Sequence, residues 1–266
     1  MTAIDDTETF AQDWAVWHEE HEKRRASPHG FLAITSIRWL TEEPETYDDV
    51  PGAWSSGPDG VVVSLAPGEA MVVDGVEITG RHSFGVIEEG GGTTAAFGDA
   101  VVEIANRGGS DIIRPRHPDS PVLTGYRGTE AYAPDVAWAR PGRFIAFEMP
   151  ITTTVGSVVD GLEHVYEAVG EIEFEVAGAL HRLTAFPGAA PGSLHVLFTD
   201  ETSGRTTYPA NRTLSIDAPD ADGTVVIDFN RATNLPCAYT DHATCPLPPP
   251  ENRLSVAIEA GEKKPA

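Results

Sequence analysis

The stretch EIEFEVAGALHRLTAF, residues 171–186, decides the fold class. Glu171, Glu173 and Glu175 alternate with Ile172, Phe174 and Val176, the period of a strand with one face in water and one in a core. Ala177-Gly178 supplies a turn and the apolar run resumes from Leu180 to Phe186, so the segment reads as an antiparallel hairpin. The same period recurs on both sides. Upstream lie runs such as Val61–Leu65, Met71–Val76, Ala100–Ile104, Phe144–Met149 and Thr152–Val159, with Asp74-Gly75 between valines as a second hairpin turn. Downstream come Leu194–Thr199, Thr213–Ile216, Thr224–Phe229 and Leu254–Ile258. No helical crossovers separate these runs, which excludes a parallel α/β sheet. The expected class is mainly β, an antiparallel β-barrel or sandwich with one amino-terminal α-helix.

That helix is expected over residues 5–25. Asp5 can cap it, with Glu8 three residues on. Phe10, Trp14, Trp17 and His21 make an apolar stripe, Lys23, Arg24 and Arg25 suit the carboxyl end, and Ser27-Pro28 stops it. Arg107-Gly108-Gly109-Ser110 breaks the strand pattern and suggests a boundary. It divides the chain into a helix plus small β unit (1–108) and a larger antiparallel β unit (109–266).

A net charge of −23, with three lysines (Lys23, Lys263, Lys264) among the 18 basic residues, repels phosphate backbones and anionic lipid. Nucleic acid and membrane surfaces are therefore not expected partners. The amino-terminal stretch is acidic, unlike a signal peptide, and no apolar run approaches bilayer length, so a cytoplasmic protein is expected. There is no Gly-x-Ser-x-Gly elbow, phosphate loop, dinucleotide fingerprint or His-Glu-x-x-His, and no cofactor is expected. Oligomeric state is not legible.

The stretch richest in chemistry is GTVVIDFNRATNLPCAYTDHATCPLPPPENRLSVAIEAGE, residues 223–262. It holds both cysteines, Cys237 and Cys245, in a proline-stiffened loop between two runs that read as strands, Thr224–Phe229 and Leu254–Ile258. Cys237-x4-His242-x2-Cys245 matches no zinc module, so no metal is expected, and a reducing compartment favours two thiols over a disulfide. Asp228 and Asn230 leave one strand face, and Glu251, Asn252 and Arg253 close the loop's other end, with Asn234 inside it. If the two strands are neighbours, these groups converge.

This stretch resembles the carboxy-terminal signature of the DUF1684 family, proteins of unknown function. Asp228, Asn230, Asn234, Cys237, Cys245, Glu251, Asn252 and Arg253 fall on the family pattern, while Thr233 and Leu235 stand where Tyr and Pro are usual. Weaker similarity covers 31–40, 119–135 and 200–214, the last including Tyr208 and Arg212. The resemblance implies no activity.

The expected function is binding of a small polar or anionic ligand in a pocket beside the 228–253 loop. Candidate ligand-binding residues are Arg114, Arg116, Tyr208, Arg212, Asp228, Asn230, Asn234, Asn252 and Arg253. The alternatives are a cofactor-independent hydrolase or isomerase with Asp228 or Glu251 as general base, and a purely structural loop pinned by arginine–carboxylate pairs.

Overall fold

The computed structural model describes residues 7–265. The expected cap Asp5 lies outside the described residues. The chain falls into two compact units. The first β unit comprises Lys23–Arg127 with Tyr239–Thr244; the signature unit comprises the residues up to Glu22, Gly128–Ala238 and the segment from Cys245 onward.

In the first β unit the strands are β1 (Arg38–Trp39), β2 (Glu45–Tyr47), β3 (Val50–Gly57), β4 (Gly60–Ser64), β5 (Met71–Val73), β6 (Val76–Ile78), β7 (Arg81–Gly85), β8 (Gly92–Phe97), β9 (Ala100–Arg107) and β10 (Ser110–Arg116). They form two antiparallel sheets, β1-β10-β9-β8-β5-β6 and β2-β3-β4-β7. Alternate residues fill one core, among them Trp54, Val63, Met71, Val102, Ile104 and Ile113. The Trp54 indole donates to the Pro51 carbonyl at 2.9 Å, so its one polar atom is satisfied although the residue is buried. The break at Arg107–Ser110 is a hairpin tip, not a linker: Arg107 pairs with Ser110 across Gly108 and Gly109, both at positive φ. The division at 108 expected from sequence therefore cuts a sheet between two paired strands, because glycines serve a tight turn as well as a domain boundary.

The signature unit holds helix α1 (Thr7–Arg25) up to Glu22, and strands β11 (Ala139–Gly156), β12 (Glu163–Val176), β13 (Ala179–Pro187), β14 (Leu194–Phe198), β15 (Arg212–Ile216) and β16 (Thr224–Asp228). One antiparallel sheet runs β15-β14-β13-β12-β11-β16. It curls into a half-barrel. Its ends approach where Thr213 of β15 and Thr233, just beyond β16, exchange both backbone hydrogen bonds at 2.9 Å. Ile172, Phe174 and Val176 face the core as their spacing predicts, with Leu183, Phe198, Leu214 and Ile227. Phe229 sits between Phe174 and Phe198, ring centroids 5.5 and 5.6 Å away. Val176 and Ala179 pair across Ala177 (φ 52°) and Gly178 (φ 75°), the double positive-φ turn that matches strand twist.

Helix α1, up to Glu22, packs within the signature unit. The Trp14 indole donates to the Asn230 carbonyl at 2.7 Å, and the Arg231 guanidinium lies 5.4 Å from the Trp17 ring centre. Phe10, Trp14, Trp17 and His21 are half-buried. Among the described residues no helix is long and apolar enough to cross a membrane.

The second expected strand of the signature stretch does not form. Residues Leu254–Ile258 are irregular, although Leu254 and Ile258 are buried in the core. Their backbone groups meet the loop after β14 singly: Leu254 N donates to Thr199 O at 2.8 Å, and Glu201 N donates to Val256 O at 3.2 Å. Side chains take other ladder positions, with the Asp200 carboxylate accepting from Ile258 N at 3.3 Å and Arg212 donating to the Ile258 carbonyl at 3.1 Å. A segment whose hydrogen bonds go to side chains keeps its apolar alternation and loses its strand.

Candidate functional site

The signature side chains are brought into the fold, but not around one pocket. Asp228 ends β16 and caps the following turn: its Oδ1 accepts from Asn230 N (3.1 Å) and Nδ2 (2.8 Å), and its Oδ2 lies 3.2 Å from Arg231. Asn230 in turn exchanges two bonds of 2.9 Å with the backbone of Asp135. The Asn234 amide donates to the Lys263 carbonyl, and its backbone N–H donates to the Glu262 carboxylate, both at 2.7 Å. Arg212, 1% exposed, donates to the Asp200 carboxylate at 2.8 Å and to the carbonyls of Ile258, Ala260 and Glu262. Asn234 and Arg212 thus clamp the carboxy-terminal segment 258–263, while Asp228 and Asn230 pin the turn after β16 to Asp135.

Asn252, fully buried, does different work. Its Oδ1 accepts from Thr184 N at 2.7 Å, and its Nδ2 donates to Thr184 O (2.9 Å) and Leu197 O (2.8 Å). The pairing of β13 with β14 is confined to Phe186–His195 and Pro187–Leu194. Where the two strands part, one amide supplies the donors and acceptors that a ladder would.

The expected convergence of Asp228, Asn230, Glu251, Asn252 and Arg253 is therefore corrected. It required Leu254–Ile258 to be a strand beside β16, and that strand is absent. Glu251 and Arg253 are exposed, with Glu251 accepting from the Thr184 hydroxyl at 3.2 Å. Tyr208 donates to the Cys237 carbonyl at 2.7 Å. Arg114 and Arg116 belong to the first β unit. No disulfide joins Cys237 and Cys245; Cys237 N donates to the Cys245 sulfur at 3.3 Å. Hydrogen bonding from Cys245 lowers the Cys237 thiol pKa against the opposing effect of burial, and Tyr208 adds to the lowering.

The signature loop does border a cavity, on the outer face of β14. A hollow of about 360 Å³ is lined by Val165, Tyr166, Glu167, Phe186, Pro187, His195, Leu197 and Pro246. Leu194, Val196 and Phe198 of the same strand point into the half-barrel core, so His195 and Leu197 take the other face. Pro246 is held over them by its carbonyl, which accepts from the Asn211 amide at 2.6 Å, and by the neighbouring Leu247 N–H, which donates to Gly156 O at 2.7 Å. The Thr213 hydroxyl lies 3.2 Å from the His195 ring nitrogens. Burial pushes the His195 pKa below its ordinary value, so the ring is neutral at neutral pH. The Glu167 carboxylate, which accepts from Thr152 Oγ1 at 2.8 Å, is exposed at the rim. Sequence reasoning passed over His195. The available signal was a polar ring inside the apolar run Leu194–Phe198.

The model of the family described as "Protein of unknown function (DUF1684)" matches residues 124–263, more than half of the chain. The chain belongs to the DUF1684 family. The matched DUF1684 region includes β11–β16, the Asn252 bridge and every residue that lines the His195 cavity. A solved structure similar to this DUF1684 chain is the solution NMR structure of an uncharacterized protein from gene locus rrnAC0354 of Haloarcula marismortui. It is 31% identical over 53% of this chain and 78% of that one, with a TM-score of 0.44. No curated protein sequence matches the chain.

Proposed function

We propose that the DUF1684 region binds a small ligand in the cavity between β14 and Pro246, with His195 reading the ligand's polar group. The observation that carries this reading is a neutral, half-buried imidazole at the side of an otherwise mainly apolar hollow. Apolar walls with a few placed polar groups are the composition of small-molecule sites. Glu167 at the rim and the absence of arginine from the lining favour a neutral or cationic ligand over the anionic one expected from the signature arginines. A cytoplasmic setting belongs to the same proposal: Cys237 and Cys245 lie together as thiols, a state that a reducing compartment maintains. The charge of −23 supports a small molecule over nucleic acid as the partner.

The test is a thermal-shift screen of neutral and cationic aromatic or aliphatic fragments that carry one hydrogen-bonding group. Hits should stabilise the wild type, and the stabilisation should vanish in Val165→Trp, which fills the mouth from an exposed position. His195→Gln should weaken every hit. Undiminished binding in Val165→Trp would sink the reading.

A further inference from the structure

In the first β unit, Thr94, Glu103 and Arg114 stand directly opposite one another on β8, β9 and β10. Arg107 and Arg116 flank Glu103 on the same sheet face, four residues along β9 and two along β10 from that row. The opposite face supplies Ala95, Val102, Ile104 and Ile113 to the core. One carboxylate thus receives three guanidinium groups. Arg114 binds it through Nε at 3.0 Å and Nη2 at 2.7 Å, Arg107 lies at 3.3 Å, and Arg116 closes on the second oxygen.

Burial would raise the Glu103 pKa, but Arg114 and then Arg116 hold it below its ordinary value, so Glu103 is a carboxylate. Within the cluster three guanidinium groups meet one carboxylate, in a chain whose net charge is −23, and Arg107 also donates to the Gly91 and Asn106 carbonyls at 2.8 and 2.7 Å. A pinned loop needs one arginine per carboxylate; this face has three. The excess borders an open polar hollow of about 450 Å³, lined by Gly92, Thr93, Thr94, Glu103, Arg107 and Arg116. Arg116 donates to the His29 carbonyl at 3.0 Å and to Glu103, yet its Nε is buried with no protein partner. A buried N–H of a charged group without an acceptor is costly. A ligand oxygen would reach it only with a turn of the Arg116 side chain toward the hollow, because the Nε itself is sealed from solvent.

We propose that this face is an oxyanion site that takes a phosphoryl group, held between Arg107 and Arg116 with the Thr94 hydroxyl at its edge. Guanidinium forks and hydroxyl donors are the groups that recognise phosphate oxygens. The acidic remainder of the chain does not prevent this, because at physiological salt charges more than about 8 Å away are largely screened. Glu103 would orient the arginines when the site is empty and limit the affinity for a doubly charged ligand.

The experiment is calorimetric titration of the full chain with inorganic phosphate and with glycerol phosphate, against chloride at matched ionic strength. Binding specific to phosphate is expected. Arg116→Gln should weaken it about tenfold, the loss of one charged hydrogen bond. Thr94→Val, at an exposed position that the fold does not need, should weaken it about threefold. Glu103→Gln should tighten it if the variant folds. Tighter binding of the ester would show that the hollow holds more than the phosphoryl group, and equal binding that it reads the phosphoryl group alone. No response beyond chloride in the wild type, or an unchanged affinity in both Arg116→Gln and Thr94→Val, would overturn the proposal.

Discussion

Two arginine centres, one in each unit, use the same chemistry to opposite ends. At Arg212 one guanidinium faces one carboxylate, Asp200, and its two Nη atoms also donate to three carbonyls, while its Nε is buried without a partner; both side chains are almost inaccessible, at 1% and 0%. At Glu103 one carboxylate faces three guanidinium groups, of which Arg107 and Arg116 keep 18% and 21% of their side-chain surface. The first centre is closed and charge-balanced, so its worth lies in holding the segment 258–263. The second is open, with three guanidinium groups to one carboxylate. Counting charges against acceptors, and then asking whether water can enter, separates a clamp from a candidate binding site where residue type alone does not.

This contrast can be broken at its strongest point first. Arg212→Met removes the partner of a buried Asp200 and strands three carbonyls. We expect a loss of about 3–5 kcal/mol in urea unfolding. A loss below about 1 kcal/mol would show that the tail is not clamped through this residue. Asn252→Ala is the neutral counterpart, leaving Thr184 N, Thr184 O and Leu197 O without partners, and should cost about 2–4 kcal/mol by the same measurement. At the open centre Arg116→Gln should cost no more than about 1 kcal/mol, because Arg114 and Arg107 still neutralise Glu103. A cost equal to that of Arg212→Met would make the two centres alike and remove the distinction.

The smaller effects concern His195 and the turn at Ala177. The pKa of His195 is lowered in the folded state, so the unfolded chain binds the proton more readily. Its contribution to stability is full above the ordinary histidine value of about 6.5 and is lost as pH falls through the folded pKa. Unfolding midpoints measured from pH 7.5 down to pH 5 should fall less steeply in His195→Gln than in the wild type; parallel curves would show that the ring is solvated. Ala177 holds φ 52°, where an alanine side chain is strained. Ala177→Gly should relieve that strain, and glycine's extra freedom in the unfolded chain limits the net gain to at most about 1 kcal/mol. A loss of stability would show that the turn tolerates alanine without strain.

Much of the architecture was legible. The Glu171–Val176 alternation, the turn dipeptides Asp74-Gly75 and Ala177-Gly178, and the helix carrying Trp14 and Trp17 stand where local pattern puts them, because propensity and burial agree there. The candidate site was much less so. Asp228, Asn230, Asn234 and Asn252 were recognised as unusual, but their partners are backbone groups of Asp135, Lys263, Thr184 and Leu197, which no side-chain pattern announces. Arg114 and Arg116 were singled out from their shared strand face, while Glu103 and Arg107, which they meet, sit on the neighbouring strand.

By itself the sequence determined the antiparallel β class, the position of the hairpin turns, the family and the acidic field, since each depends on residue type and near-neighbour spacing alone. Only the tertiary structure decided that Leu254–Ile258 is not a strand, that α1 packs within the signature unit, and that the cavity beside the signature loop is lined by His195 and not by Asp228. Those outcomes depend on which distant groups satisfy each backbone N–H and carbonyl. In this chain long polar side chains, Arg212, Asn252 and Asp200 above all, win many of those positions from the strand ladder.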